Sequence, residues 1–347
     1  MKPISNFSLV AMLILLAACS SDQEVLDSIS GKETATLAGE NSGQPVMPRD
    51  TGILKRHDGQ EHVQAAHHPE RVALFGDLHV HTENSFDAFT FGSLATPADA
   101  YRYARGEAIE HPAGFDIQLD RPLDFYAVTD HAMLLGVAKA AADTSTDIAL
   151  LPVSEPLHDF NRPGNRGLFS LLERGKAFGQ FVPEMVRMLR EGEVDPERVL
   201  AITRSTWVQN IDATDNAYEP GEFTTFAAYE YTTSTDARGN LHRNVIFRDT
   251  DRLPAVPWSR LHSQNPEGLW AWMDQLRELG IESLAIPHNS NGSNGEMFKQ
   301  VDWLCRAMDE SYSQTRLRNE PLVEITQIKG TSETHHQLSD TDEWAGF

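Results

Sequence analysis

The sequence has few cysteines and few basic residues for its length. Cys19 and Cys305 are the two cysteines among 347 residues, which is too few for a framework of disulfides. The 29 lysines and arginines face 51 aspartates and glutamates, so the formal net charge is −22. This charge opposes binding to a phosphate backbone, and nucleic acid is not expected as the main partner. Hydrophobic residues make up 40% of the chain, enough for a substantial folded core.

The chain begins with a short apolar run. Leu9–Leu16 follows Lys2 and is too short to span a bilayer as a helix. It leads into Leu16-Ala-Ala-Cys19, which resembles a bacterial lipobox. Residues 1–19 are therefore predicted to be a lipoprotein signal peptide, with Cys19 as the lipidated residue; an ordinary secretory peptide is the alternative. Ser20 after the cysteine favours the periplasmic face of the outer membrane.

The rest of the chain divides into a tether and a folded domain. Residues 20–70 are polar, with few aromatics and no sustained period, which predicts a flexible tether. Residues 71–347 alternate short apolar runs with helical patterns, and a helix-rich insertion is predicted over about 132–216. The predicted strands cover 72–75, 122–128, 223–229, 242–247, 283–286 and 322–328, and the clearest helices cover 96–105, 265–279 and 301–308. This alternation favours parallel βαβ units of an α/β barrel.

The first predicted strand is followed by alternating polar residues. His79 and His81 are two positions apart, so on an extended backbone both imidazoles share a face. Two converging imidazoles suit a divalent transition metal, and Asp87 can supply an oxygen ligand. Asp77 is expected either to orient a ligand histidine or to cap the turn. A His-x-His pair alone is more often two exposed polar residues.

Potential ligands also follow or begin the later strands. The set comprises His79 and His81, Asp130 and His131, Glu230, His242, and His288. Five strand ends that each carry such a residue are hard to explain as independent accidents. A set with many imidazoles and few carboxylates suits zinc, manganese or iron, and argues against calcium, which prefers oxygen ligands.

The motifs around these residues resemble a known superfamily. Gly76-Asp-Leu-His-Val-His-Thr82, Ala127-Val-Thr-Asp-His131 and Ile286-Pro-His-Asn289 are similar to motifs of the PHP (polymerase and histidinol phosphatase) superfamily. More narrowly, Tyr229-Glu-Tyr-Thr232 and His242-Arg-Asn-Val-Ile-Phe247 resemble a bacterial PHP-like lipoprotein branch that carries a domain of unknown function 3604 label. The resemblance implies a distorted (βα)7 barrel with two or three divalent metal ions, and phosphoester hydrolysis as the commonest activity.

The resemblance also assigns roles residue by residue. The implied metal ligands are His79, His81, Asp87, His131, Glu230 as the bridging carboxylate, His242 and His288. Asp130 either ligates or orients a ligand. The superfamily closes its site with an Asp-x-His pair that is not found after Lys329, so the barrel is predicted to be incomplete at its C-terminus.

The sequence thus predicts a metal-dependent phosphoesterase acting on a small-molecule substrate. Glu230 and Asp130 are the predicted catalytic carboxylates, while Arg243 and Lys329 are candidates to bind phosphate oxygens. Asn289 is expected to contact substrate, and Glu324 is expected to face outward from the sixth strand. Two alternatives remain at this point. One is an amidohydrolase-type barrel or another ester hydrolase, and the other is a non-catalytic metal-binding surface lipoprotein.

Overall fold

The computed structural model describes residues 46–47, 52–56, 59, 72–162, 171–235, 238–328, 330–337 and 345. Cys19, with the rest of the predicted signal peptide, most of the tether and Lys329 lie outside the described residues. Within the described part, no helix combines the length and the apolar character needed to cross a membrane.

The described residues form helices and mostly short strands. The helices are α1 Phe86–Phe91, α2 Pro97–Ala104, α3 Val137–Ala142, α4 Leu171–Arg190, α5 Pro196–Ala217, α6 Pro266–Glu278 and α7 Glu310–Asn319. The first strands are β1 Ile53–Lys55, β2 Gly76–Asp77, β3 Ile109–His111, β4 Phe115–Ile117, β5 Phe125–Tyr126, β6 Thr224–Thr225 and β7 Ala228–Tyr231. They are followed by β8 Ser234–Thr235, β9 Gly239–Asn240, β10 His242–Phe247, β11 Arg252–Pro254, β12 Ser283–His288, β13 Thr326–Gln327 and β14 Gly330–Thr331.

Two helices begin where side-chain caps predict them. Thr96 caps α2 in a capping box with Asp99, and Pro97 occupies the first turn. Asn265 caps α6 by accepting a hydrogen bond from the backbone N–H of Glu267. Both sequence predictions of helices are confirmed here. The predicted helix-rich stretch contains α3, α4 and α5.

One three-stranded sheet is parallel. Strand β5 lies between β2 and β6 and runs parallel to both. The same pairing continues beyond β5 and β6, because the Glu230 N–H donates to the Asp130 carbonyl at 3.0 Å and the Ala132 N–H donates to the Glu230 carbonyl at 2.9 Å. The segments that carry Asp130, His131 and Glu230 therefore lie side by side, as parallel βαβ units require.

A second three-stranded sheet, formed by β7, β10 and β12, is antiparallel, which differs from the prediction. Strand β10 runs antiparallel to both β7 and β12. Its first residue, His242, pairs with His288 at the end of β12, and Asn244 pairs with Glu230. The α/β class is confirmed. The described strands form small sheets, none of which closes into a barrel, so the (βα)7 barrel is not confirmed.

The two faces of this sheet pack differently. Alternate residues of a strand point to opposite faces. One face buries Tyr229, Val245 and Phe247 against Trp207 of α5 and the apolar stripe of α6. The opposite face carries a smaller apolar cluster of Ala127, Ala228, Ile246 and Ile286. Glu230, His242 and His288 have the same parity as Ala228, Ile246 and Ile286, so they lie on this second face.

Three predicted elements are wrong. The run 72–75 is not a buried strand, because Val72 and Phe75 are 70% and 68% exposed. The observed strand, β2, begins only after this run. Within the predicted strand 322–328, only the two residues of β13 are in a strand, and Ile328 is fully exposed. The stretch 301–308 forms a turn in which Cys305 has a φ of 60°, because Val301 bridges to Ala307 instead of starting a helix. Apolar composition alone does not reveal whether another element covers a segment.

Candidate metal centre

The buried carboxylate of Glu230 is the centre of the site. The residue is 1% exposed on β7 and contacts five imidazoles. Its Oε2 atom lies 3.5 Å from His79 Nε2 and 2.9 Å from His81 Nε2, and its Oε1 atom lies 3.3 Å from His131 Nδ1, 2.7 Å from His242 Nδ1 and 3.3 Å from His288 Nε2. The structure therefore brings together six of the predicted site residues.

The sheet topology explains this convergence. His79 and His81 follow β2, and His131 follows β5, so these residues leave the carboxyl ends of parallel strands. His288 ends β12 in the same way. His242 begins its strand, but β10 is antiparallel to its neighbours, and its first residue therefore lies at the same edge as His288. One edge of the sheet thus gathers all five imidazoles.

The donors form two groups that could each hold a metal ion. One group is His79, Glu230 and His288, and the other is His81, His131 and Glu230; within each group the ligand atoms lie within 4.8 Å of one another. Glu230 belongs to both groups. His242 belongs to neither, and its Nε2 lies 2.9 Å from the hydroxyl of Ser234.

The polar atoms of these buried side chains are suited to hold a metal ion. His288 is 1% exposed, and its Nδ1 has no hydrogen-bond partner among the described residues, whereas Nε2 of His288 and Nε2 of His81 face the Glu230 carboxylate at 3.3 and 2.9 Å. A buried polar atom left without a partner costs about 1–3 kcal/mol. A divalent cation bound by imidazole nitrogens and a carboxylate would satisfy these atoms, and this donor set suits zinc, manganese or iron. The type of metal is not determined by the geometry.

The electrostatics of the centre follow from burial and pairing. Burial alone would raise the pKa of Glu230 and of Asp87, but the facing histidines hold the pKa of both carboxyls well below the usual range. Burial opposes charge on His131, but the charges of Glu230 and Asp87 outweigh it and raise the pKa of His131 to about 9. Burial dominates at His288 and lowers its pKa to about 4, so this imidazole is neutral at pH 7.

A second carboxylate lies behind each imidazole of the His-x-His pair. Nδ1 of His81 lies 3.1 Å from Asp87, whose other oxygen lies 3.3 Å from Nε2 of His131. Nδ1 of His79 lies 2.8 Å from Glu324. Asp87, predicted to be a metal ligand, thus contacts the imidazoles of one of the two groups but belongs to neither group itself. Glu324 was expected to face outward, and that prediction is wrong.

The wall around His131 comes from neighbouring elements. Phe86 of α1 stacks on the His131 ring at 4.5 Å between centroids. Thr232 contacts Nδ1 of His131 and donates to Glu230 at 3.3 Å. Phe86 also belongs to the apolar cluster formed with helices α3 and α4, so the helix-rich stretch supports this side of the site.

Asp130 lies beside the centre with its carboxylate already occupied. It accepts hydrogen bonds from the backbone N–H and hydroxyl of Thr82, at 2.6 and 2.8 Å, and from the Asn210 amide at 3.0 Å. It is fully buried and belongs to neither donor group. Its side-chain partners, Thr82 and Asn210, are not among the donors, so the structure places Asp130 beside the centre, and its ligating, orienting and catalytic roles remain predictions.

The two cations predicted to bind phosphate are not brought to the centre. Arg243 follows His242 on a strand and so points to the opposite face. There it is buried, and its Nε donates to Glu320 at 2.7 Å. The structure therefore does not bring Arg243 together with the other predicted site residues. Lys329, as noted, is outside the described part of the chain.

Two neighbouring polar residues have mainly local roles. Asp77 accepts a hydrogen bond from the backbone N–H of His79 at 2.9 Å, and it therefore caps the turn. The Asn289 side chain accepts from Gln327 at 2.7 Å, and its amide nitrogen lies 3.5 Å from Nδ1 of His242.

Sequence reasoning missed Glu324 and Thr232. Thr232 could have been found, because it lies two positions after Glu230 and shares its face in an extended chain. For Glu324 the sequence offers no such signal, since 245 positions separate it from His79.

Comparison with known proteins identifies the family of this chain. Neither a search of curated proteins nor a search of solved structures returned a match. A family model described as "Protein of unknown function (DUF3604)" matches residues 68–347 and so includes every residue of the centre described above. The chain belongs to the DUF3604 family.

Proposed function

We propose that the protein is a metal-dependent phosphoesterase of the PHP type. The observation that carries the proposal is the contact of one buried carboxylate, Glu230, with five imidazoles from separate segments. The parallel arrangement of β2, β5 and β6, with ligands beyond their carboxyl ends, supports a PHP-type barrel architecture.

The two donor groups suit a pair of cations that share Glu230. When bound, divalent metals at such a site lower the pKa of a water molecule and offset the negative charge of a phosphoryl group. Glu230 fixes the relation of the two groups, because both use its carboxylate. The carboxylates of Asp87 and Glu324 contact the Nδ1 atoms of His81 and His79, and the Phe86 ring covers one face of His131.

The charge distribution supports a site that depends on metals. The chain carries a formal net charge of −22, which repels an anionic substrate. Arg243, the cation adjacent to the site in sequence, is turned away and paired with Glu320. The described centre therefore relies on bound cations to attract a phosphoester.

The test is turnover by the purified chain after metal removal and reloading. The substrates are p-nitrophenyl phosphate and bis-p-nitrophenyl phosphate, each with manganese, iron(II) or zinc. We expect turnover only with metal, and a loss of at least about 100-fold in the His79→Ala, His81→Ala double variant, because first-sphere ligands are required for water activation. His111→Ala, on the separate β3–β4 hairpin, is the matched control and should keep full activity.

Other outcomes would contradict the proposal. Equal turnover by the double variant would contradict a role for the centre. Metal binding without hydrolysis of either phosphoester, but with hydrolysis of a carboxylic ester or amide, would support the amidohydrolase alternative. Reversible metal loading without turnover of any of these substrates would support a non-catalytic metal-binding lipoprotein.

We also propose that Cys19 carries lipid and holds the protein at the cell envelope, at the periplasmic face of the outer membrane. The supporting feature is the sequence Leu16-Ala-Ala-Cys19 after an apolar run. Expression of the full chain in a Gram-negative host, followed by membrane fractionation, tests this. The Cys19→Ser variant should leave the membrane fraction, and unchanged membrane retention would contradict lipidation.

A further inference from the structure

We propose that Glu324 is a positioning residue of the metal centre, which holds His79 so that its Nε2 atom faces the group formed with Glu230 and His288. The inference rests on the proposed metal-binding function and adds a residue to it. It assigns Glu324 to one of the two donor groups and not to the other.

The contact has the geometry of a carboxylate–histidine pair. Oε2 of Glu324 lies 2.8 Å from Nδ1 of His79, and the two side chains are 16% and 15% exposed. A carboxylate at this distance favours the tautomer with the proton on Nδ1. The lone pair then lies on Nε2, the atom that faces Glu230 at 3.5 Å. Glu324 therefore sets the tautomer that a metal requires at Nε2.

The backbone of Glu324 is held by the strand end that carries His288. Its N–H donates to the carbonyl of Pro287 at 3.1 Å, and its own carbonyl accepts from the hydroxyl of Ser332 at 2.7 Å. The rings of His79 and His288 lie 4.2 Å apart between centroids. Glu324 thus fixes the ring of His79 relative to the strand end that carries His288, the other imidazole of the same donor group.

The other group has its own carboxylate. Asp87 contacts the Nδ1 atom of His81. The other ring nitrogen of His81, Nε2, lies 2.9 Å from the Glu230 carboxylate. Each imidazole of the His-x-His pair therefore lies between Glu230 and a separate carboxylate. This arrangement predicts that loss of Glu324 weakens one metal site, whereas loss of Asp87 weakens the other.

The experiment compares zinc binding by the full chain and by the Glu324→Ala and Glu324→Gln variants. Equilibrium dialysis over a range of free zinc gives the number and affinity of sites. We expect Glu324→Ala to weaken one site about 10–100-fold, the usual effect of losing such a partner, and to leave the other site unchanged. Glu324→Gln should have an intermediate effect, because its amide oxygen still accepts a proton from Nδ1 but carries no charge. Glu333→Gln, an exposed neighbour, is the matched control.

A spectroscopic readout separates positioning from a general structural role. In ¹⁵N-labelled, zinc-loaded protein, the Nδ1 signal of His79 should show a bound proton in the wild type, and this signal should be lost or shifted in Glu324→Ala. Equal weakening of both zinc sites, or an unchanged affinity and His79 signal, would overturn the assignment of Glu324. Absence of zinc binding by the wild type would instead overturn the proposed metal centre itself.

Discussion

Nδ1 of His242 lies 2.7 Å from Oε1 of Glu230, the shortest of the five contacts that this carboxylate makes with imidazoles. The two residues belong to neighbouring antiparallel strands, β10 and β7. The contact shows how completely Glu230 is surrounded by nitrogen donors. Removal of the Glu230 carboxylate should therefore affect both donor groups of the centre rather than one of them.

Glu230→Gln should abolish tight binding of both metal ions. The two donor groups share this carboxylate, and the amide that replaces it is a neutral and weaker ligand. His288→Ala and His131→Ala should each remove one equivalent, because each residue belongs to one group. Elemental analysis after dialysis measures the stoichiometry, and two retained equivalents in Glu230→Gln would show that the carboxylate does not bridge.

Metal should stabilise the protein more at pH 8 than at pH 6. Burial opposes charge on His79, His81 and His131, but their carboxylate partners outweigh it and raise the pKa of all three, that of His131 to about 9. In the metal-free protein, these charged histidines stabilise the folded state. Their contribution to the free energy of unfolding is complete below their ordinary pKa of about 6.5, and it is lost as the pH rises towards 9. Metal binds the neutral imidazoles, so alkaline pH removes its competitor.

Thermal unfolding with and without excess manganese checks this prediction. The metal-induced increase in Tm should grow from pH 6 to pH 8. His288, whose pKa burial lowers to about 4, is already neutral over this range and should not contribute. An increase in Tm that is constant with pH would show that metal and protons do not compete at the centre.

Asp130→Asn should destabilise the metal-free protein by about 1–3 kcal/mol. The buried carboxylate accepts three hydrogen bonds, from the Thr82 N–H and hydroxyl and from Asn210. An amide has one oxygen, so at least one donor loses its partner at this energetic cost. Chemical denaturation measures the free energy of unfolding, and the exposed Asp120→Asn is the control. An unchanged free energy of unfolding would show that this network is not important for stability.

Glu320→Gln should reduce stability and leave the metal stoichiometry unchanged. Glu320 accepts from Arg243 at 2.7 Å and from the indole of Trp270 at 2.8 Å, on the face of the sheet opposite the centre. Removing one partner of a buried ion pair costs about 3–5 kcal/mol. Denaturation and elemental analysis together check this, with the exposed Glu310→Gln as control. Loss of bound metal in Glu320→Gln would show that this ion pair does act on the site.

The sequence was sufficient to identify the imidazoles of the centre. His131 and His288 each follow an apolar run that does form a buried strand, whereas the apolar run 72–75 before His79 and His81 is exposed. The direction of β10 could not be inferred, because the apolar pattern of a strand is the same for either direction. His242 was nevertheless grouped with the others.

The failures have distinct physical causes. Arg243 could have been excluded, since its neighbour His242 faces the centre and adjacent residues of a strand face opposite sides. Glu324 could not have been found, because its contact with His79 depends on the path of a segment 245 positions away. Val72 and Phe75 are apolar but exposed, and only packing partners determine burial.

The pairing of β7 with β10 has a consequence for the order of folding. These strands are close in the chain, so Glu230 and His242 can meet through a local hairpin early in folding. His79 meets Glu324 only when distant segments dock, after a large loss of chain entropy. We therefore expect a partly folded chain to hold at most some of the donors, so that high-affinity metal uptake reports the completion of folding.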